Sequence, residues 1–460
     1  MAMVVKNNMP AVNTLNTLNK NESALSKSLQ KVSSGMKINS AGDDASGMAI
    51  SERMRVQVRA LDQDDTNTKN GSALLRTAEG AVQSTIDILR TLKEKAINAA
   101  NDTNTDEDRA VIQKEVDRLI DQIDDNALTT YNGKYLIDGS RNGLVTGGPN
   151  KLGTATSFTN MSLAPTTDPA DYLTELKRRD GNDVGIHSSD TITASWTKNG
   201  ITYEGSISPI GTTTTLGDAI DIITNTDANF SSNSAWVGID EYGRDVYTPD
   251  NLPGITIRAA KQGADHQIAG VTFRVTDSRG HMRNEVNAVL DDFRETVRAQ
   301  NPSPDNSIVL QTGVKSNQST KVGFTDMRSA ALGLQAANGQ GWDHNTAALG
   351  AGISVVGSGP KIQVTTREAA NAAINVFQNA LLKATDQAVA IGAAQNRLGY
   401  TSSNLVTASE NVQDSESVIR DSDMAKEMTA YTKNNVLTQA AQAMLAQANQ
   451  NSSAVLSLLQ

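Results

Sequence analysis

Two adjacent carboxylates, Asp43 and Asp44, sit in the stretch "SSGMKINSAGDDASGM", and paired carboxylates are the residue types of general acid-base and cation chemistry. The imidazoles are His187, His266, His281 and His344, and there is no cysteine. That removes disulfides, zinc-thiolate sites and thiol nucleophiles together. None of the histidines has a ligand spacing such as His-Glu-x-x-His, and neither a histidine nor a second acidic cluster lies close to Asp43 in sequence. The acidic run "NTDEDRAVIQKEVDRLIDQIDD" lacks the ordered Asp-x-Asp-x-Asp-Gly of a calcium loop. Its period is helical, so it reads as a solvated helix face. Asp43 and Asp44 are better explained as caps, where carboxylates accept from free helix N–H groups and complement the macrodipole. No catalytic, metal or cofactor residue is assigned and no enzyme is expected. An enzyme carried in the middle of the chain, such as a protease, is the alternative of a different class, and that region shows no catalytic constellation at a recognisable spacing.

The elements that hold this loop come from the distribution of rare residues. After Pro10 the next proline is Pro149, the last is Pro360, and Trp196, Trp236 and Trp342 all lie between those limits. No aromatic residue precedes Tyr131. The chain therefore divides into two proline-poor arms, free to form long helices, around a middle of different grammar. In the middle, "TITASWTKNGITYEGSI" places Asn199-Gly200 between alternating runs, a hairpin signal. "GITIRAA" and "GVTFRVTDSRG" repeat the period of two, and "TLGDAIDIITNT" reads as a short helix. With 460 residues, two to four folding units are expected. A net charge of −10 argues against nucleic-acid binding. No apolar run approaches the ~20 residues of a membrane span, and the first twenty residues show no signal-peptide h-region or cleavage site, so general secretory export is not expected.

Within the arms, Leu15, Leu18, Leu25, Leu29, Val32 and Met36 follow an alternating spacing of three and four, the pattern of a coiled-coil seam. Near the other end, Met428, Tyr431, Leu437, Ala441, Met444, Leu445, Ala448, Val455, Leu456 and Leu459 form a looser apolar stripe. The two can pair as amphipathic helices. Lacking large aromatic anchors, that pair buries too little to offset the entropy of ordering both helices, so neighbouring copies are expected to complete it. Further in, a helix over 46–100 carries Ala78, Val82, Thr85, Leu89, Leu92, Ala96 and Ala99 on one face. A second helix opens at the box-like Thr105-x-x-Asp108 and runs to a turn at Asn132-Gly133. A third opens at Thr365-x-x-Glu368 and presents Val376, Leu381, Ala384, Ala388, Ile391 and Leu398. Together they predict a slender three-helix bundle. The fold class is mainly α, with long coiled-coil-like helices from both termini and an inserted β-rich or mixed α+β outer region.

"VSSGMKINSAGDDASGMAISERM" resembles the N-terminal signature of bacterial flagellin, and "GAAQNRLGYTSSNL", "ASENVQDSESVIRDSDMAKEM" and the glutamine-rich, leucine-ending tail resemble its C-terminal part. The resemblance covers about 1–140 and 361–460, in family order. It implies inner-tube helices with their spoke at 1–45 and 416–460, a helical outer-tube domain at 46–140 and 361–415, and a variable, surface-exposed insertion at 141–360 of one or two domains. It also implies a structural subunit of an extracellular filament serving motility, exported unfolded through the flagellar type III apparatus and polymerising through its end helices. The implied partners are other copies of the chain, an export chaperone at the C-terminal helix, the filament cap and the hook-junction proteins, with no nucleic acid and no membrane insertion. A hook–filament junction protein, which shares resembling ends, is the alternative; "INSAGDDASG" and "GAAQNRL" favour flagellin. In this frame Gly35 and Gly42 relieve the backbone of the spoke, and Asp43 and Asp44 cap the next helix. "LRTLKEKAINAAN" aligns with the segment that vertebrate Toll-like receptors bind in some flagellins. There Arg90, Glu94 and Glu115 are the residues of interest, Thr91 stands where many receptor-binding members have Arg, and Lys95 where they have Leu, which implies weak receptor activation.

Overall fold

Asn8 accepts the Ala11 N–H at 3.2 Å, Pro10 occupies the first turn, and Gly35 closes the last turn with φ +72°, donating to the Lys31 carbonyl at 2.9 Å. These three local choices delimit helix α1, Met9–Ser34, because side-chain oxygens suit N-caps, proline suits the first turn and glycine suits a left-handed C-cap. The computed structural model describes residues 8–147, 153–198, 200–224, 228–336, 353–357 and 361–457. The further helices are α2 (Ala45–Ala99), α3 (Asp106–Ala127), α4 (Leu216–Thr224), α5 (Asn284–Leu290), α6 (Ser329–Leu332), α7 (Arg367–Arg420) and α8 (Met424–Ser457). Two compact units result. One holds the residues up to Lys69, Gln311–Gln318 and those from Gly399 on; the other holds Asn70–Leu310 and Ser319–Leu398.

In the second unit α2, α3 and α7 form the expected antiparallel bundle. Lys93 donates to Gln378 and Gln395 to Glu79, which sets α2 antiparallel to α7, while Asn126 bonds Ser84 and Lys95 pairs with Glu115, which sets α3 antiparallel to α2. Ala78, Val82, Thr85, Leu89, Leu92, Ala96 and Ala99 are all fully buried. Small alanines along the seam let the helices approach closely, and Leu89, Leu92, Ile120 and Phe377 fill the space between. The capping box at α3 is present in both directions, Asp108 N–H to Thr105 Oγ1 at 3.2 Å and Thr105 N–H to Asp108 Oδ2 at 3.0 Å. The cap of α7 falls one residue later than its sequence suggests: Thr366 Oγ1 accepts the Ala369 N–H at 3.2 Å, and Arg367 begins the helix.

Asn132 and Gly133 both have positive φ and turn the short hairpin of Thr130–Tyr131 and Lys134–Tyr135, as a two-residue type I′ loop requires. The middle of the chain then builds two four-stranded antiparallel sheets. One runs in the order Phe293–Val297, Ser157–Asn160, Gly254–Ala259, Ala228–Ser234, the other Ile268–Thr276, Thr191–Lys198, Ile201–Ile207, Ile353–Gly357. The predicted hairpin is the pair Thr191–Lys198 and Ile201–Ile207, closed by Lys198 opposite Ile201; Asn199 lies outside the described residues, and Gly200 has φ +78°. Both sheets and α4 and α5 share one core that includes Phe158, Trp196, Ile220, Ile257, Phe273 and Leu290. Alternation explains it: Ile255 and Ile257 point inward, while Thr256 and Arg258 face the other side of the sheet.

The 308–334 segment, which composition groups with the insertion, instead places Val322, Phe324, Met327, Leu332 and Leu334 in the bundle core, with Ile308 and Leu310 against it. Alanines leave room along part of the bundle seam, and Phe324 and Met327 help to fill it beside Leu89, Leu92, Ile120 and Phe377.

Candidate assembly surface

Helices α1 and α8 form an antiparallel hairpin whose seam is partly polar. Asn8 donates to the Ala448 carbonyl at 3.2 Å, Asn21 to the Leu437 carbonyl at 3.2 Å, and Asn434 to Ser28 Oγ at 3.0 Å. Lys31 and Glu427 stand 4.0 Å apart nearer the closed end. Leu18, Ser28, Thr438 and Ala441 are buried in this seam, with Leu25, Val32, Tyr431, Leu445 and Ala448 partly covered. The end of the hairpin is fixed by backbone contacts: Lys37 N–H donates to the Arg420 carbonyl at 2.6 Å and Ser422 N–H to the Gly35 carbonyl at 3.0 Å. Met36 forms a bridge with Asp421. Arg420 is itself buried and holds Glu52 of α2 at 2.8 Å.

The apolar stripe of α1 therefore splits. Leu18, Leu25 and Val32 face α8, whereas Leu15 and Leu29 are directed outward, Leu29 being 51% exposed against 9% for Leu18. Leu18, Leu25 and Val32 recur every seven residues and keep one face of α1, while Leu15 and Leu29, offset from them by three or four residues, stand on its flank. On α8, Met428, Leu437 and Met444 are exposed, Met444 at 62%. Met9 and Val12 of α1 and Met424 and Val436 of α8 are exposed as well. Along this hairpin an apolar face is thus left uncovered within the chain. The side chains of Val455 and Leu456, and all of Leu459, lie outside the described residues.

The spoke that joins α1 to α2 divides the two carboxylates between two tasks. Asp44 Oδ1 accepts the Ser46 N–H at 3.1 Å, the Gly47 N–H at 3.0 Å and the Ser46 hydroxyl at 2.9 Å, so Asp44 caps α2. Asp43 does not cap the helix. Its Oδ2 accepts from Asn39 N–H, Ser40 N–H and Ser40 Oγ and pins the preceding turn. The Ser40 hydroxyl and the two backbone N–H groups hold the Asp43 carboxyl below its ordinary range, and the Gly47 N–H, then Ser46, do so for Asp44. Gly35 has the left-handed backbone expected at a bend, but Gly42 does not. The second glycine with a steric reason is Gly47, where a Cβ would stand 2.5 Å from Asp44 Oδ2 and 2.7 Å from Ile38 Cδ1. Its signal in the sequence is the small residue three places after the cap, where the carboxylate folds back.

The remaining residues singled out by sequence fall apart in space or into ordinary pairs. Arg90 bonds Asp87 at 2.9 Å on the same helix, Lys95 pairs with Glu115 at 2.8 Å between α2 and α3, and Glu94 is exposed. His187 lies near Asp190 and His281 near Asp277, while His344 lies outside the described residues. Among the described residues no helix is long and apolar enough to cross a membrane.

Residues 5–142 match the helical region of the bacterial flagellin N-terminus, and residues 374–459 match that of its C-terminus. Over 97% of its length the chain is 32% identical to a flagellin of Clostridium tyrobutyricum, of which it covers 99%, and over 99% it is 28% identical to a flagellin of Bacillus subtilis strain 168, covering all of it. A solved structure of FliC from Burkholderia pseudomallei aligns with 71% of this chain and 99% of that one, at 19% identity and a TM-score of 0.27. With both terminal regions matched and a full-length relative above 30% identity, the chain belongs to the bacterial flagellin family.

Proposed function

We propose that the exposed faces of α1 and α8 are the polymerisation surface through which this flagellin, a structural subunit of the flagellar filament, joins copies of itself. The observation that carries this reading is the division of each stripe: one set of apolar residues is used within the chain, and another, including Leu15, Leu29, Met428 and Met444, is left outward. In the same reading residues 1–45 and 416–460 form the inner layer with the spoke, 46–140 and 361–415 the helical outer layer, and 141–360 the outward insertion except for the 308–334 segment, which packs into the bundle. An export chaperone covers the α8 face before assembly by a helix-in-groove mode. The cap and junction proteins meet the same faces at the filament ends, and the chain reaches the cell exterior through the flagellar export apparatus. The junction-protein alternative is disfavoured by full-length relatives that are flagellins.

Negative-stain electron microscopy of the full chain beside a version lacking 1–40 and 420–460, incubated in polymerising salt, tests the assignment. Tubular filaments from the full chain alone are expected. Filaments from both versions, or from neither even with seeds, would refute a polymerising role for the end helices.

The Lys95–Glu115 pair supports a second expectation. Lys95 is a cation where receptor-binding relatives offer leucine, and it already occupies Glu115. Desolvating that ammonium costs at least ~1–2 kcal/mol, so receptor activation by purified monomer should be roughly tenfold weaker than that of the Lys95→Leu variant. A reporter-cell titration with equal responses from both proteins would contradict it.

A further inference from the structure

Outside the assembly helices, the β-rich insertion carries an open cleft of about 500 Å³ between the strand Ser157–Asn160, the strand Phe293–Val297 and the segment around Pro249. We propose that this cleft binds a neutral sugar ring. Two guanidinium-carboxylate pairs line it. Arg179 donates to Asp250 at 2.6 Å and to the Met161 carbonyl at 3.0 Å, and Arg294 donates to Asp292 at 3.2 Å. Asp292 also accepts from the Ser162 hydroxyl at 2.5 Å. Charge inside the cleft is thus balanced, yet each group keeps capacity. A guanidinium has five N–H donors and a carboxylate about four acceptor sites, and each is engaged only in part.

A second, independent feature is the floor. Thr159 lines the cleft, is 3% exposed, and its hydroxyl has no hydrogen-bond partner in the protein; the hydroxyl of Thr256, opposite it in the sheet register, is likewise buried and unpartnered. The hydroxyls of Thr156 and Ser157 nearby are unpartnered too, so this part of the sheet holds several hydroxyls whose hydrogen bonds, about 1–3 kcal/mol each, are unmet within the protein. Donors and acceptors interleaved at zero net charge match a ligand whose own groups both donate and accept. A phosphate would need an uncompensated cation, and a divalent cation would not be placed beside two arginines. Met161 and Pro249 offer the apolar contact that the C–H face of a sugar ring uses.

Saturation-transfer-difference NMR on the full-length monomer, with the methyl glycosides of glucose, galactose and mannose as probes, tests the site. At least one should give saturable transfer. Both Arg294→Ala, at a side chain largely exposed, and Thr159→Val, which keeps shape and removes only the hydroxyl, should weaken it about tenfold, the scale of one lost hydrogen bond. Thr159→Val should leave the thermal midpoint unchanged or raised, which separates loss of ligand from loss of fold. Absence of transfer from every glycoside, undiminished transfer in both variants, or displacement of the sugar by inorganic phosphate would overturn the proposal. Competition by dextran would identify a free polysaccharide as the source of the ring and competition by asialo-mucin a protein-borne glycan, either result supporting the site.

Discussion

Aspartate at Leu29 and Met444 together should abolish filament formation while leaving the monomer's α1–α8 hairpin folded. Both residues are more than half exposed in the chain by itself, so a carboxylate at either place gives up only part of a contact within the hairpin and stays hydrated. Buried against a neighbouring copy, each would be an ion in an apolar contact, at a cost of at least ~2 kcal/mol per residue after relaxation. Two per subunit raise the critical concentration for assembly by roughly 10³-fold or more, since each ~1.4 kcal/mol is a factor of ten. Sedimentation after salt-induced assembly reads the loss, and circular dichroism of the monomer checks the helices. The control is Leu18→Asp, which breaks the covered seam and should lower helicity as well as assembly. Filaments from the Leu29→Asp/Met444→Asp protein, at a critical concentration like that of the unaltered chain, would place the interface elsewhere.

The contrast between Leu18 and Leu29 also shows where sequence stops being informative. Spacing alone places both in one seam, because a three-and-four pattern identifies apolar positions without saying which neighbour covers each. The position of the partner helix resolves them, and that position is set by Asn21, Ser28 and Asn434, polar residues that no hydrophobic period would select. Capping is legible where a side chain acts within three residues, as at Thr105 and Asp108. It is misread where two candidates are adjacent: Thr366 caps in place of Thr365, and Asp44 caps while Asp43 holds a turn. Phe324 and Met327 fall in the wrong layer when read by composition, because composition shifts locate a boundary in the chain, not in space. The polar cleft is not legible at all. Its residues come from segments far apart in sequence, and only the folded sheet places an unpartnered threonine beneath two ion pairs.

Asp291 should make the stability of the insertion fall as pH rises from about 4 to about 7, and Asp291→Asn should remove that dependence. The residue follows α5, and its carboxylate accepts the Phe273 N–H at 3.2 Å and a side-chain hydrogen bond from Asn375 of α7. Burial is the main cause that pushes its pKa up to about 7; those two hydrogen bonds act in the opposite direction, and the neighbouring Asp292 adds like-charge repulsion. The unfolded chain titrates near ~4, so the folded state binds the proton more tightly. Below pH ~4 both states are protonated and no penalty exists. Between ~4 and ~7 the unfolded state ionises first and the folded state loses relative stability, and above ~7 the loss is complete. A raised pKa of about 7 corresponds to an upper limit of roughly 4 kcal/mol, and about 2 kcal/mol is a fair expectation because the side chain keeps some contact with water. Asparagine preserves the acceptor for Phe273 N–H and carries no charge at any pH. Urea unfolding of the full-length monomer, followed by tryptophan fluorescence with Trp196 buried in the same core, should show the variant about 2–4 kcal/mol more stable at pH 8.5 and nearly equal at pH 4. Parallel pH profiles for the two proteins would mean that solvent or a rearranged neighbour already neutralises the cost of ionising Asp291.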